Sequence, residues 1–229
     1  MPHWQAPAIP LACQGERGGV GTYDPSMLLM PWSEILRRLP RVVLGLVLFG
    51  IGVAMMVSAD LGLGPWDVFH QGLSRLTGVP IGRVIIGVGL VILIGFIPLR
   101  EKVGVGTLLN ALLIGATVSV ALALFGRPDS MLLRGALVVG GPIVIAIGSG
   151  LYIGGGLGPG PRDGLMTGLA RRGIKISRAR TGIELTVLAA GLALGGTVGF
   201  GTLWFALGIG PLVAYCLPRL SMEPVKSAP

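Results

Sequence analysis

The chain contains one apolar segment twice. Residues 62–115 return in altered form as residues 156–210, and the offset between matching positions stays at 94 to 96 residues. The match includes a Gly-Leu-Gly-Pro turn followed closely by an aspartate, and a later Gly-x-Gly-Thr-Leu sequence. Agreement over this length is hard to obtain by chance, even in a chain with 40 glycines. The repeat therefore predicts two halves of related structure, an organisation common among membrane transporters.

Composition indicates the solvent in which these halves fold. Charged residues make up 12% of the chain, hydrophobic residues make up 52%, and the mean hydropathy is +0.81. Ordinary soluble domains carry about 25% charged residues. A soluble fold of 229 residues could not bury this much apolar surface, so the composition predicts a membrane protein whose partner is the lipid bilayer.

Charge-free runs mark the predicted membrane spans, because a helix needs about 20 apolar residues to cross the hydrocarbon layer. Four such runs predict spans at residues 42–59, 84–99, 103–125 and 135–161. The last run, 185–218, is too long for one helix, and the repeat divides it into spans at about 181–197 and 201–217. The prediction is an all-α bundle of six transmembrane helices, three in each repeat.

These spans define the predicted domain organisation. Residues 36–218 are predicted to form a single transmembrane domain, with repeat one at about 42–125 and repeat two at about 135–217. Residues 1–35 are predicted to be a disordered N-terminal tail, because the sequence there is mixed and contains Pro and Gly; it also lacks the apolar stretch of a secretory signal. Residues 219–229 are predicted to be a short cytoplasmic tail.

Basic residues are distributed unevenly between the predicted loops. With the N-terminus in the cytoplasm, and Arg17 of the N-terminal tail left out, thirteen Lys and Arg residues fall on the cytoplasmic side and four on the external side. The thirteen are Arg37, Arg38, Arg41, Arg100, Lys102, Arg162, Arg171, Arg172, Lys175, Arg178, Arg180, Arg219 and Lys226, and the four are Arg75, Arg83, Arg127 and Arg134. This bias predicts that both termini lie in the cytoplasm.

An odd number of spans in each copy predicts that the second copy is inverted relative to the first. The loop pattern agrees with this prediction. Arg100-Glu101-Lys102 falls on the predicted cytoplasmic side, whereas its counterpart Gly195-Gly196-Thr197 falls outside and carries no charge. Inverted copies under the positive-inside bias are expected to differ in this way.

Each copy also contains a short helical segment that cannot cross the membrane. Residues 66–76 would extend only about 16 Å as a helix, and residues 163–171 would be shorter still. Such an amphipathic half-helix either lies flat at the interface or re-enters the membrane and lines a cavity. The turns expected to precede the two half-helices contain Gly62, Gly64, Pro65, Gly156, Gly158 and Pro159.

Polar residues in and after these segments are the candidate substrate- or ion-binding groups: Asp67, His70, Arg83, Asp163, Arg178 and Glu184. Each has a structural alternative. The two aspartates occupy equivalent positions, where the helix dipole alone would stabilise an acid by about 0.3–1 kcal/mol. The two arginines are also equivalent and are either interfacial anchors or partners of an acid or an anionic substrate.

Two of the candidates have no equivalent in the other half. Glu184 is either a functional carboxylate inside the membrane or the partner of Arg180, one helical turn earlier. His70 is either a hydrogen-bonding group or a group that titrates near neutral pH.

Several function classes find no support in the sequence. The net charge is +8, but the basic residues separate apolar runs and do not define a polar face for nucleic acid. The two cysteines and the scattered acids have no metal-ligand spacing, so no metal or cofactor is expected. No nucleophile and base are arranged for catalysis, and the chain is not expected to be an enzyme.

The run from Ser58 to Leu73, Ser-Ala-Asp-Leu-Gly-Leu-Gly-Pro-Trp-Asp-Val-Phe-His-Gln-Gly-Leu, resembles the signature of the YczE-like bacterial integral membrane proteins, which are related to the YitT group. Gly104-Val105-Gly106-Thr107 and the second Gly-Pro-rich copy are similar to that family too. The resemblance covers about residues 40–218. It implies a bacterial inner-membrane protein with several spans and carries no defined substrate or site residues.

Two functions are compatible with these features. The first is a small-molecule or ion secondary transporter with its site between the two repeats. The alternative is a non-transporting accessory or assembly protein that docks a partner. A transporter is expected to keep polar groups between the halves, whereas an accessory protein is expected to pair its charges at the two interfaces. The substrate, the coupling ion and the formation of a homo-oligomer are left open.

Overall fold

A computed structural model describes residues 30–222 of the chain. Most of the predicted N-terminal tail and residues 223–229 of the predicted C-terminal tail lie outside the described residues. The described part contains eight helices and no strand. They are α1 (Trp32–Ala59), α2 (Pro65–Thr77), α3 (Ile81–Leu99), α4 (Val105–Phe125), α5 (Met131–Gly154), α6 (Pro161–Arg171), α7 (Ile176–Ala193) and α8 (Phe200–Leu220).

Five of these helices are long and apolar enough to cross a membrane, namely α1, α3, α4, α5 and α8. The expectation of a helical membrane bundle is therefore confirmed. Many large apolar side chains point outward, as they do in proteins that face lipid; Leu124 and Ile97 are both about three-quarters exposed. Helix α7 carries Arg178, Arg180 and Glu184 in its first half. The six-span arrangement stays a prediction.

Helix α1 begins ten residues before the predicted first span, and its charged first turns explain the difference. Glu34 accepts hydrogen bonds from Arg37 at 3.0 Å and from Arg38 at 2.6 Å. Arg38 is buried and also donates to the carbonyl of Gly155. Arg41 donates to the carbonyl of Leu220 at 2.6 Å. The charged side chains before residue 42 had suggested that the span begins there. Instead they lie within α1 and hold it against the end of α5 and the end of α8.

Helices α1 and α5 pack closely along a line of glycines. A Cβ at Gly45 would lie 2.6 Å from the backbone nitrogen of Tyr152, and a Cβ at Gly52 would lie 2.6 Å from Cγ1 of Ile145. Residue numbers fall along α5 as they rise along α1, so the two helices run antiparallel. Their backbones approach because no side chain separates them. The first helices of the two repeats thus point in opposite directions.

The two half-helices exchange partners between the repeats: α2 packs on α7, and α6 packs on α3. In the first pair, a Cβ at Gly72 would lie 2.7 Å from the carbonyl oxygen of Gly191. In the second pair, a Cβ at Gly164 would meet the ring of the fully buried Phe96. Each half-helix therefore packs most extensively on the repeat to which it does not belong.

The last-turn arginine of each half-helix holds a loop of the other repeat. Arg75 of α2 donates to Oγ1 of Thr197 at 3.0 Å. Arg171 of α6 pairs with Glu101, which also accepts a hydrogen bond from Thr167 at 3.3 Å. The Glu101 side chain is only 2% exposed. We call these two contacts, Arg75 with Thr197 and Arg171 with Glu101, the latches. They differ in charge, because one loop contributes a hydroxyl and the other a buried carboxylate.

Asp60 gathers basic residues at one end of the bundle. It ends α1 in a left-handed conformation, with φ of 49°. Arg127 contacts its carboxylate at 2.9 Å, and Arg134 donates to its backbone carbonyl at 3.0 Å and to that of Ala59 at 2.7 Å. These contacts fix the start of α5 to the end of α1.

Candidate functional site

The half-helices begin at equivalent prolines, Pro65 and Pro161, which occupy the first helical position as proline favours. The turns before them contain Gly62 with φ of 109° and Gly158 with φ of 124°, in a region where a side chain is strained. The structural equivalence therefore runs Gly62 to Gly158 and Pro65 to Pro161. Matching by sequence letters aligned Gly62 with Gly156, two residues earlier, and gave Pro159 the place that Pro161 occupies.

Both turns dock on the last helix of the other repeat through the same backbone contact. The carbonyl of Leu61 accepts a hydrogen bond from the Gly201 amide at 2.8 Å, and the carbonyl of Leu157 accepts one from the Gly106 amide at 2.8 Å. Irregular backbone at membrane depth persists where protein satisfies its polar groups in this way.

A buried threonine reinforces each docking point. Thr202 Oγ1 accepts from the Leu63 amide at 3.1 Å and from the Gly199 amide at 3.3 Å. Thr107 Oγ1 accepts from the Gly104 amide at 3.2 Å. The two threonines are equivalent, but within the described residues only Thr202 bonds the turn of the other repeat, whereas Thr107 caps the start of α4 where the second turn docks.

The first turns of α2 and α6 line one cavity of about 230 Å³. Helix α2 contributes Asp67 and His70, helix α6 contributes Asp163, and all eight helices contribute to the wall. The apolar part of the wall consists of Phe49, Ile85, Ile92, Ala111, Ile114, Ile145, Ile153, Phe205, Ile209 and Val213. Three of the six candidate residues thus meet in one place, although they come from different repeats.

Asp67 lies at the less exposed side of the site. Its Oδ1 is 3.5 Å from Nδ1 of His70, and the two side chains are 14% and 10% exposed. The His70 ring is flanked by Trp66 and Phe69, with ring centroids 6.3 and 6.2 Å away. His70 Nδ1 and the Trp66 indole nitrogen have no hydrogen-bond partner among the described residues. The polar face of α2 is therefore turned toward the interior.

Asp163 has different neighbours from its equivalent. The Tyr152 hydroxyl donates to Oδ2 of Asp163 at 3.2 Å and accepts from the Gly160 amide at 2.7 Å. Arg162 lies 3.9 Å from Oδ1, and its guanidinium lies 5.8 Å from the centre of the Phe49 ring. The Asp163 side chain is 40% exposed, so this acid is the more accessible of the two.

Several cavity residues were missed by the sequence analysis. Ser149 and Tyr152 line the cavity from α5, and Trp66, Arg162 and Arg180 line it from the other helices. Ser149 and Tyr152 interrupt an apolar run just before the second Gly-Pro turn. That interruption was the available signal. The remaining polar wall residue, Asn110, stood out only as a group for hydrogen bonding between helices.

Arg83, Arg178 and Glu184 do not line this cavity. Both arginines are exposed, and neither forms an ion pair with a carboxylate within residues 30–222. Arg178 instead lines a shallower, mostly apolar pocket of about 380 Å³ between α6 and α7. Glu184 accepts a hydrogen bond from Arg180 at 3.1 Å, which is one of the two alternatives given for it by the sequence. The structure thus separates these three residues from Asp67, His70 and Asp163.

No group of three His, Cys, Asp or Glu side chains with metal-binding geometry occurs in the part of the chain that the structure describes. The polar groups of the cavity are carboxylates, guanidiniums, hydroxyls, an amide and an imidazole. They can bind a small molecule or ion through charge and hydrogen bonds.

The helices and the comparisons with known proteins together define an integral membrane protein. The chain belongs to the family of unknown function DUF6198, whose model matches residues 36–218. The resemblance to YczE-like proteins is confirmed by this match and by the relatives below.

The chain is similar to three bacterial proteins over most of their lengths. It is 35% identical to the uncharacterized membrane protein YczE of Bacillus subtilis (strain 168) over 193 residues, which cover 82% of this chain and 88% of YczE. It is 31% identical to an uncharacterized protein of Haemophilus influenzae over 194 residues, covering 84% and 89% of the two chains. It is 27% identical to the uncharacterized protein YyaS of Bacillus subtilis over 170 residues, covering 70% and 82%. No solved structure matches the chain.

Proposed function

We propose that this protein is a small secondary transporter of the bacterial inner membrane. In this proposal six transmembrane helices form two inverted three-helix repeats, and both termini lie in the cytoplasm. The substrate site is the cavity at the first turns of α2 and α6. Asp67, His70 and Asp163 are the binding groups proposed from the original candidates.

The observation that carries the proposal is the meeting of equivalent acids from the two repeats in one cavity. Asp67 and Asp163 line one cavity of about 230 Å³, together with polar and apolar residues from all eight helices. Transporters built from repeats bind their substrates between the repeats, at the ends of broken or short helices. Charged groups inside a membrane protein are costly and are retained mainly for function.

The reciprocal contacts support an inverted arrangement of the repeats. Helices α1 and α5 occupy equivalent positions and run antiparallel, as a twofold axis in the membrane plane would require. Asp67 is 14% exposed and Asp163 is 40% exposed. In the proposed cycle the two repeats exchange conformations, and these two exposures exchange with them.

Helix α7 is the sixth span in this proposal. Its charged residues lie in its first half, and the remainder from Leu185 to Ala193 is uncharged. The positive-inside bias would keep the charged half at the cytoplasmic boundary. The apolar half and the turn that follows it would then reach the external side.

The accessory-protein alternative is favoured by one observation. Three acids outside the cavity are paired with arginines near the helix ends: Glu34 with Arg38, Asp60 with Arg127, and Glu101 with Arg171. Within the described part of the chain, Asp67 and Asp163 have no arginine contact this close: His70 lies 3.5 Å from Asp67, Arg162 lies 3.9 Å from Asp163, and both neighbours also line the cavity. The transporter proposal accounts for both groups of acids.

A flux assay with unlabelled solutes tests the proposal. Proteoliposomes containing the purified chain are incubated with a small-molecule extract of bacterial cells, and their contents are identified by mass spectrometry. We expect at least one solute to enter vesicles containing the wild-type chain or the exposed-loop variant Asp129→Asn, and to be excluded when Asp67→Asn or Asp163→Asn is used. Folded wild-type protein that moves no solute, or flux that is unchanged in all variants, would contradict the proposal.

A further inference from the structure

The cavity wall carries charges of both signs. Asp67 and Asp163 contribute carboxylates, and Arg162 and Arg180 contribute guanidiniums. Arg180 is already bonded to Glu184 outside the cavity. Arg162 makes no side-chain hydrogen bond within the described residues and lies 3.9 Å from Asp163. Two carboxylates and one incompletely paired guanidinium are therefore available to a ligand.

The first turns of the half-helices add positive potential. The amide groups of a helix's first turn have no partners within the helix, and the helix dipole places about half a positive charge there. Gly160, which precedes α6, donates its amide to the Tyr152 hydroxyl. The amides of Arg162 and Asp163 follow in the first turn of α6 and have no backbone acceptor. An anionic ligand group beside Arg162 would therefore meet a guanidinium and free amides together.

The rest of the wall is apolar, and the cavity is much larger than an ion. A single water needs about 10–15 Å³ of this kind of volume, whereas the cavity offers about 230 Å³. A bare inorganic ion would leave most of the space to water. Aliphatic side chains from α3, α4, α5 and α8 instead provide a surface for an apolar ligand body.

The charges exclude simpler ligand classes in turn. An apolar molecule would desolvate the carboxylates and Arg162 without bonding them, which is unfavourable. A ligand with only an amine would leave Arg162 and the α6 amides unsatisfied, and one with only an acid would leave Asp67 with no partner among the described residues closer than His70 at 3.5 Å. A ligand that carries both groups satisfies both ends of the wall.

We infer that the cavity binds a zwitterionic small molecule with an apolar body, its cationic group at Asp67 and its anionic group at Arg162 and the first turn of α6. The inference rests on the proposed function, because it names the substrate class of the same cavity. Asp67 Oδ2 makes no hydrogen bond within the described residues and can accept from an ammonium group. Asp163 accepts from Tyr152 through Oδ2 and lies 3.9 Å from Arg162 through Oδ1, so it orients the guanidinium that receives the anionic group.

A binding panel on the purified full-length chain tests the substrate class. The probes are the twenty amino acids and glycine betaine. Binding of each probe is measured as a shift in the thermal unfolding temperature of the protein in detergent. Every amino acid that binds is compared with the amine that lacks its carboxylate and with the acid that lacks its amine. Leucine, for example, is compared with 3-methylbutylamine and 4-methylpentanoate. We expect at least one zwitterion to bind and its two singly charged analogues to bind at least about tenfold more weakly.

Variants assign the two ends of the ligand. Asp67→Asn is expected to weaken binding of the zwitterion and of the amine while leaving the acid unaffected. Arg162→Gln is expected to weaken binding of the zwitterion and of the acid while leaving the amine unaffected. Asp129→Asn and Arg37→Gln, both on exposed side chains, are the matched controls and are expected to bind like the wild type.

The outcomes separate this inference from the proposed function. If no zwitterion binds, or if singly charged analogues bind as well as the zwitterion, the zwitterion inference is wrong. Flux of another solute that Asp67→Asn abolishes would then still support transport. If no solute moves at all through folded protein, the proposed function and the inference fail together.

Discussion

Asp67 and Asp163 hold equivalent positions in the two repeats and line the same cavity, yet only Asp163 receives a hydrogen bond from a tyrosine. Asp67 instead has His70 at 3.5 Å. The repeats therefore supply the same charge twice but surround it differently. In an alternating mechanism such a difference distinguishes the two ends of the substrate site.

The Tyr152 hydroxyl is expected to stabilise the second turn as well as Asp163. Tyr152→Phe would leave the buried Gly160 amide without its partner and is expected to cost about 1–3 kcal/mol of unfolding free energy. Tyr215→Phe is the matched control, because Tyr215 is exposed and its ring contact with Arg219 does not need the hydroxyl. Unfolding in mixed micelles measures both variants. Equal stabilities would show that Tyr152 does not hold the turn.

The glycine contact between α1 and α5 is expected to tolerate no added methyl group. A Cβ at Gly52 would lie 2.6 Å from Ile145 and 2.7 Å from the Gly141 carbonyl oxygen, so Gly52→Ala is expected to destabilise the fold by about 1–3 kcal/mol. Gly87→Ala in α3 is the control, because a Cβ there meets nothing within 4 Å. The same unfolding assay compares them. A Gly52→Ala protein as stable as Gly87→Ala would contradict the close packing of α1 on α5.

The two threonines at the docking points are expected to differ in importance. Thr202 Oγ1 accepts two backbone hydrogen bonds, one of them from the other repeat, whereas Thr107 Oγ1 accepts one. Thr202→Val is therefore expected to cost about 1–2 kcal/mol, and more than Thr107→Val. Unfolding free energies of the two nearly isosteric variants give the comparison. A larger loss for Thr107→Val would overturn the assignment.

The latch between Glu101 and Arg171 is expected to be energetically coupled. Glu101 is almost fully buried, so Glu101→Gln is expected to destabilise the chain by about 1–3 kcal/mol. Arg171 is 41% exposed, so solvent screening should keep the coupling near the lower part of the usual range of about 0.5–3 kcal/mol. A double-mutant cycle with Arg171→Gln measures it. Additive effects of the two substitutions would mean that the loop and α6 are held by other contacts.

Features that the repeat duplicates were predictable from the sequence. The half-helices follow from the Gly-Pro turns, and their equivalence placed Asp67 and Asp163 at matching positions. The turn register was two residues off, because a second Gly-x-Gly-Pro match at 156–159 imitates the first turn. The backbone conformation shows that Gly158 and Pro161 have the roles of Gly62 and Pro65, a register that the 96-residue offset between Asp67 and Asp163 also gives.

Contacts that the repeat does not duplicate could not be predicted by comparing its two copies. Tyr152 has Met56 at the matching position of α1, so internal comparison gave no reason to select it. The pairing of Glu101 with Arg171 joins a loop of one repeat to a half-helix of the other, and sequence spacing carries no information about such a contact. Arg83 and Arg178 are equivalent in sequence, but both lie at exposed positions away from the cavity.

The opposed orientation of the two repeats is the central claim, and cysteine labelling in intact cells tests it most directly. In a full-length chain with Cys13→Ser and Cys216→Ser, single cysteines are placed at the exposed positions Lys102 and Val198, in equivalent loops of the two repeats. An impermeant maleimide added outside is expected to label Val198→Cys at once, and Lys102→Cys only after the membrane is permeabilised. Labelling of both positions from the same side would contradict the inverted arrangement.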